Sequence, residues 1–201
     1  EERVLDDDAF EAKWRRGSTC GLCKQDYHGV VRCALGWACW KTYLGRPEAD
    51  QSRRNAITVL GNGLHDANHH EDALFVYEAE LAMERRLGAS EEDLLAVQGN
   101  LAITYQDMGR LEQALSMRRD VYSGYLRLHG EEDRDTLIAA GNYAASLVDL
   151  ERHGEGKALL RRTIPVAQRV LGKHDDFPLI MRSNYAEALY KDPAATLNDL
   201  R

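Results

Sequence analysis

Four cysteines and a histidine cluster are the residues whose types and spacing could do chemistry. Cys20 and Cys23 form a Cys-x-x-Cys knuckle in STCGLCKQDYHGVV, the spacing that lets two thiolates grip one tetrahedral zinc. Cys33 and Cys39 follow in VVRCALGWACWKTYLG. Together with the first pair, or with His28 substituting, they would supply four zinc ligands. The spacing argues against a self-contained site, because neither a second Cys-x-x-Cys nor a His-x-x-x-His is present. A thioredoxin-like redox pair needs a βαβ setting that the flanks lack. Disulfides do not fit an intracellular chain. His65, His69 and His70 invite a metal as well, but His69 and His70 fall at an expected turn, and a solvated polar turn accounts for them. Elsewhere there is no nucleophile elbow, no phosphate-cradling glycine loop and no His-Glu-x-x-His. Glu112 with Glu155, and Asp133 with Asp135, read as solvated charge at helix ends, so no catalytic residue is assigned.

These residues are carried by a chain that repeats itself every 42 residues. Leu95, Leu137 and Leu179 stand 42 apart, as do Asn100, Asn142 and Asn184, then Ala102, Ala144 and Ala186, then Gly88, Gly130 and Gly172. Fixed self-similarity of this length means an array of supersecondary units. The repeats span about 51–88, 93–130, 135–172 and 178–201, the first a looser copy and the last cut short. Within each, Leu101, Ala102, Tyr105 and Met108 fall on one side of a helix. Gly109 breaks it, and a longer helical stretch runs from Leu111 to His129, closed by Gly130. Arg85, Arg127 and Arg169 recur in the last turn, where a cation meets the negative end of the helix dipole. Three irregularities stand out. Gly61 and Gly63 interrupt the first helix of the first repeat, whose register slips by one. Gly156 takes the place of Ala114. Pro165 lies inside a second helix, where a kink is expected.

The pattern N-L/Y-A-x-x-Y/L followed by G-R-x-E-Q-A-L resembles a tetratricopeptide repeat, and the 42-residue length with loops such as GEEDRDTL resembles the kinesin light chain and nephrocystin-like variety. The resemblance implies an all-α fold, a right-handed α-solenoid of about four helix-turn-helix repeats over residues 47–201. It also implies a concave groove for a peptide or protein partner, in which Asn100, Asn142 and Asn184 face the ligand. An asparagine amide offers donors and an acceptor to a peptide backbone. Ala96, Ile103, Ile138, Ala145 and Ile180 would line the same groove, so a hydrophobic or mixed peptide is expected and no carboxylate clamp. Separately, W-R-R-G-S-T-C-G-L-C-K-Q-D-Y resembles the tail of a RING-CH finger. On that resemblance residues 1–46 are a remnant of the finger plus a Trp-rich linker helix. Cys20 and Cys23 would be the last two ligands of a two-zinc domain. A longer protein would then be an E3 ubiquitin ligase, its finger engaging an E2 ubiquitin-conjugating enzyme and its array recruiting substrate.

Composition narrows the classes. The net charge of −7 disfavours a general nucleic-acid binder, which needs a basic stripe to displace counterions. No run approaches the length of a membrane span, and no leader pattern opens the chain. The expected setting is cytoplasmic. The opening EERVLDDDAF reads as the middle of a domain, and the chain is expected to be a fragment. In VVRCALGWACWKTYLG, a helix would place Trp37, Trp40 and Leu44 on a shared face.

Overall fold

A computed structural model describes residues 19, 22, 23, 25–172 and 175–195. Among them there are eight helices and no strand, only an isolated bridge pairing Thr19 with Asp26. They are α1 (Gly29–Tyr43), α2 (Gln51–Asp66), α3 (His70–Leu87), α4 (Glu91–Asp107), α5 (Leu111–His129), α6 (Arg134–Asp149), α7 (His153–Leu171) and α8 (Phe177–Lys191). The pairs α2–α3, α4–α5 and α6–α7 are the first three repeats, and α8 opens the fourth. Among the described residues no helix is long and apolar enough to cross a membrane.

Local chemistry sets the helix ends. Asp50, Ser90 and Asp133 cap α2, α4 and α6, each side chain accepting a backbone N–H at about the distance of a good hydrogen bond (3.1 Å from Arg53, 3.1 Å from Asp93 and 2.9 Å from Asp135). The turns inside the hairpins need a left-handed residue. Gly109 supplies it in the second repeat (φ 72°), whereas Asn68 (φ 62°) and Glu151 (φ 59°) take the same place in the first and third. Asparagine visits that region readily, while a glutamate there is held against a cost of about 1–2 kcal/mol. Helix α7 runs unbroken through Pro165, whose side chain is exposed.

The helices fall into two compact bodies divided between Leu87 and Gly88. In the first body α1 lies antiparallel on α2, closer than side chains would permit. A Cβ added at Gly63 would stand 2.7 Å from the Arg32 carbonyl oxygen, and one at Gly36 2.9 Å from that of Val59. Of the interruptions in the first repeat, Gly63 is therefore a point where backbone meets backbone, while a Cβ at Gly61 would meet the Tyr77 ring at 2.5 Å. The side of α1 that packs on α2 is the one carrying Gly36. Gly36 is its buried residue, while Trp37 and Leu44 are 44% and 47% exposed. Trp40 is half-buried, with the Arg53 guanidinium 5.9 Å from its ring centre. At its start, the Gly29 N–H donates to Asp66 Oδ2 at 2.6 Å.

Beneath α2, helix α3 buries two carboxylates. Glu84 is paired with the Arg54 guanidinium through both of its oxygens, and Glu80 accepts from the Thr58 hydroxyl. The second Glu80 oxygen has no partner among the described residues. Burial, reinforced by Glu84, pushes the Glu80 carboxyl up to about 7, with the Thr58 and Arg54 contacts acting the other way.

The second body, α4–α8, has an aliphatic core in which Leu137, Ala140, Ala144, Leu160, Ala167 and Met181 are all but inaccessible. One buried cation crosses it. Arg118 on α5 donates to the Asn142 carbonyl (3.0 Å) and the Ser146 hydroxyl (2.8 Å) on α6, and to Gln106 Oε1 on α4. The periodic arginines acquire partners too. Arg127 pairs with Glu91 and Arg169 with Glu132, each tying the end of a second helix to the start of its own repeat. In the first repeat, with its slipped register, Arg86 pairs with Glu48 at 3.3 Å.

Candidate peptide-binding face

The candidate face is built from one exposed stripe on each first helix of the second body. On α6, Ile138, Asn142, Ala145 and Asp149 follow one another at three- and four-residue steps and keep solvent exposure, while most of the rest of the helix is buried. A helix of 3.6 residues per turn aligns such positions along one side. The same positions on α4 are Ala96, Asn100, Ile103 and Asp107, and on α8 Ile180, Asn184, Glu187 and Lys191, all partly or fully exposed.

The C-terminal ends of the α4 and α6 stripes come together, because Gln106 on α4 donates its amide to Asp149 on α6 at 2.7 Å. The stripe of α8 follows next: a Cβ at Gly141 of α6 would meet the Phe177 ring at 2.7 Å. The three asparagines thus form a rank across neighbouring helices. Each is half-buried, and none of their side-chain amides has a hydrogen-bond partner among the described residues. Asn142 is held from below, its carbonyl fixed by the buried Arg118, a contact that asparagine periodicity gave no hint of. The guanidinium is destabilised by burial and supported by the charges of Asp149 and Asp107. On one side of the rank stand Ala96, Ile138 and Ile180. On the other stand Ile103, Ala145 and the Glu187–Lys191 pair, 2.7 Å apart. The first repeat has no asparagine in this rank: Val59 takes the position, and the nearby Asn62 amide oxygen already accepts from the Tyr77 hydroxyl at 2.7 Å.

The candidate metal ligands are less gathered. Cys20 lies outside the described residues, Cys23 and His28 are exposed, and Cys33 and Cys39 are half-buried on α1. Six residues on a helix separate their positions by about 9 Å along the axis. Burial raises the Cys39 thiol to about 11. The Glu80 and Glu84 carboxylates, absent from the sequence-derived candidates, are instead bound to Arg54 and Thr58. Of the histidines, His69 is exposed in the turn, but His70 starts α3, its ring edge-on to His65 with centres 5.1 Å apart.

Residues 94–135 match the family model described as tetratricopeptide repeat, and this segment is the α4–α5 hairpin with its flanks. Among curated proteins nothing matches. Among solved structures the chain is similar to nearly identical TPR-like repeats of a Podosopora anserina protein assigned as a kinesin light chain, in two crystal structures. One is 18% identical with a TM-score of 0.64 and the other 19% identical with 0.63, each covering 80% of this chain and 75% of that one. It is also similar to BtubC (BKLC) from P. vanneervenii at 14% identity and a TM-score of 0.63, over 85% of this chain and 76% of that one. The fold is therefore that of tetratricopeptide-like helical repeats. The comparisons give no support to a RING-CH finger in the N-terminal segment or to an E2 partner.

Proposed function

We propose that the chain is a protein-interaction scaffold that takes an extended segment of a partner along the rank of Asn100, Asn142 and Asn184. The observation that carries this reading is the spare hydrogen-bonding capacity of those amides. A half-buried amide without a partner can pair with a peptide group, satisfying both a donor and an acceptor. Apolar neighbours on α4, α6 and α8 favour a ligand whose side chains are aliphatic or mixed, and Gly99 beside Asn100 leaves open space for its backbone.

The test is selection of twelve-residue peptides from a random display library on the intact chain, followed by titration calorimetry. Each Asn→Ala change at 100, 142 or 184 removes neutral hydrogen bonds of about 0.5–1.5 kcal/mol, so binding should weaken about two- to tenfold per site. Selected peptides that bind the triple variant as tightly as the wild type would place the ligand elsewhere.

A further inference from the structure

The turn that joins α2 to α3 brings two histidines together. Asn68 closes it with a left-handed backbone (φ 62°). Its N–H donates to the His65 carbonyl at 2.9 Å, and the His69 N–H donates to the Leu64 carbonyl at 2.9 Å. His65 therefore stands in the last turn of α2 and His70 at the first residue of α3, with the chain between them pinned. Their rings meet edge-on with centres 5.1 Å apart, and a ring nitrogen of each lies within 4.8 Å of one on the other. Both side chains are half-buried, and the His70 Nδ1 is buried with no hydrogen-bond partner among the described residues.

A buried ring nitrogen left unpaired is costly, and turning the ring about χ2 exchanges its two nitrogens. Two imidazoles on one ion, each nitrogen about 2.0–2.1 Å from the metal, stand about 3–4 Å from one another. Small rotations of two half-exposed rings reach that spacing without moving the backbone. The chemistry of the donors narrows the ion. The neighbouring carboxylate, Asp66, is engaged elsewhere, accepting the Gly29 N–H at 2.6 Å and pairing with Arg32 at 3.6 Å. Uncharged nitrogen donors suit zinc, nickel or copper, whereas calcium and magnesium call for oxygen.

We propose that His65 and His70 together hold one divalent transition-metal ion, of which zinc is the test case, with water in the remaining positions. The ion bridges the end of α2 and the start of α3. It gives the buried His70 ring a partner and clips the first hairpin at a turn that Asn68 forms without a glycine. Binding and folding of this hairpin are then linked, because the two nitrogens are brought together only when both helices are formed. The site uses none of the cysteines.

Zinc titration of the whole 201-residue chain tests this, with Cys20→Ser and Cys23→Ser introduced to remove competing thiolates. Long-range proton–nitrogen NMR of the histidine rings is the readout. The rings of His65 and His70 should shift together and saturate at one zinc per chain, and the thermal midpoint should rise with zinc concentration. His65→Gln and His70→Gln should each weaken binding at least about tenfold and abolish that rise. His69→Gln, at the exposed neighbour in the turn, should weaken it less than either. Rings of His65 and His70 that stay in place while zinc is added overturn the proposal, and this result needs no variant at the site itself. So do His65 and His70 variants that fold by circular dichroism and bind zinc as tightly as their parent, or a loss as large in His69→Gln as in those two.

Discussion

Glu80 makes stability depend on pH in a direction opposite to most carboxylates. Its ordinary pKa of 4.5 is raised to about 7 in the folded chain, because a side chain 2% exposed has lost the water that would solvate its charge. Below about 4.5 it is protonated whether folded or unfolded. Between the two values the folded state keeps a proton that the unfolded state gives up, so stability falls as pH rises, by about 1.4 kcal/mol per pH unit. Above about 7 the loss is complete, at about 3 kcal/mol. Glu80→Gln keeps an acceptor for Thr58 and removes the titration. It should match the wild type near about pH 4.5 and exceed it by about 3 kcal/mol near about pH 8.5. Urea unfolding followed by tryptophan fluorescence suits the measurement, since Trp37 and Trp40 both lie on α1, in the same compact body. A gap between the two proteins that is the same at acid and alkaline pH would refute the assignment of a protonated, buried Glu80.

Other consequences can be measured by urea unfolding, followed by circular dichroism for sites in the second body, where no tryptophan lies. Gly63→Ala should cost about 1–3 kcal/mol as the added methyl meets rigid backbone, whereas Gly99→Ala, with nothing within 4 Å, should gain about 1 kcal/mol from helix propensity. Arg118→Ala should lose about 2–3 kcal/mol by stranding buried acceptors and opening a void. Arg118→Leu should lose less, since Leu160 fills the matching place in the next repeat, and equal losses would argue against the hydrogen bonds. Charge reversal of Arg127 to Glu should cost less than about 1 kcal/mol and lose its effect in high salt, because its pairing with Glu91 is exposed.

The 42-residue period made the hairpins, their closing glycines and the asparagine rank legible, because each depends on residues within one repeat and recurs in the next. What depends on two segments meeting was not legible. Gly61 and Gly63 look like defects until Tyr77 and the α1 backbone are seen filling the space that side chains would take. Which side of α1 packs could not be read for the same reason: tryptophans are the larger apolar groups, yet close approach selects the face with Gly36. Arg118 occupies a position that is leucine one repeat later, so periodicity could not announce a buried cation. Glu80 and Glu84 sit in a strongly charged helix, and only the approach of Arg54 and Thr58 sets them apart from solvated neighbours. Glu151 in a left-handed turn is invisible to a rule that expects glycine there. For the candidate face, residue types and ranks could be read, but the unpartnered state of the amides required coordinates.

The closing glycines bear on how such a chain can come to be. Gly88, Gly130 and Gly172 end successive repeats with the same left-handed backbone, at φ 68°, 83° and 86°, and at the same 42-residue spacing. A recombination event that cuts after one of them and rejoins after another adds or removes a whole helical hairpin. Where neighbouring hairpins pack on one another, as α4–α5 and α6–α7 do within the second body, the rejoined surfaces already fit. Gene duplication with unequal crossover can therefore lengthen or shorten this chain by repeats without first inventing a new interface. The first repeat, a residue short and fastened to α1 through its glycines, is the one module that cannot be exchanged so freely.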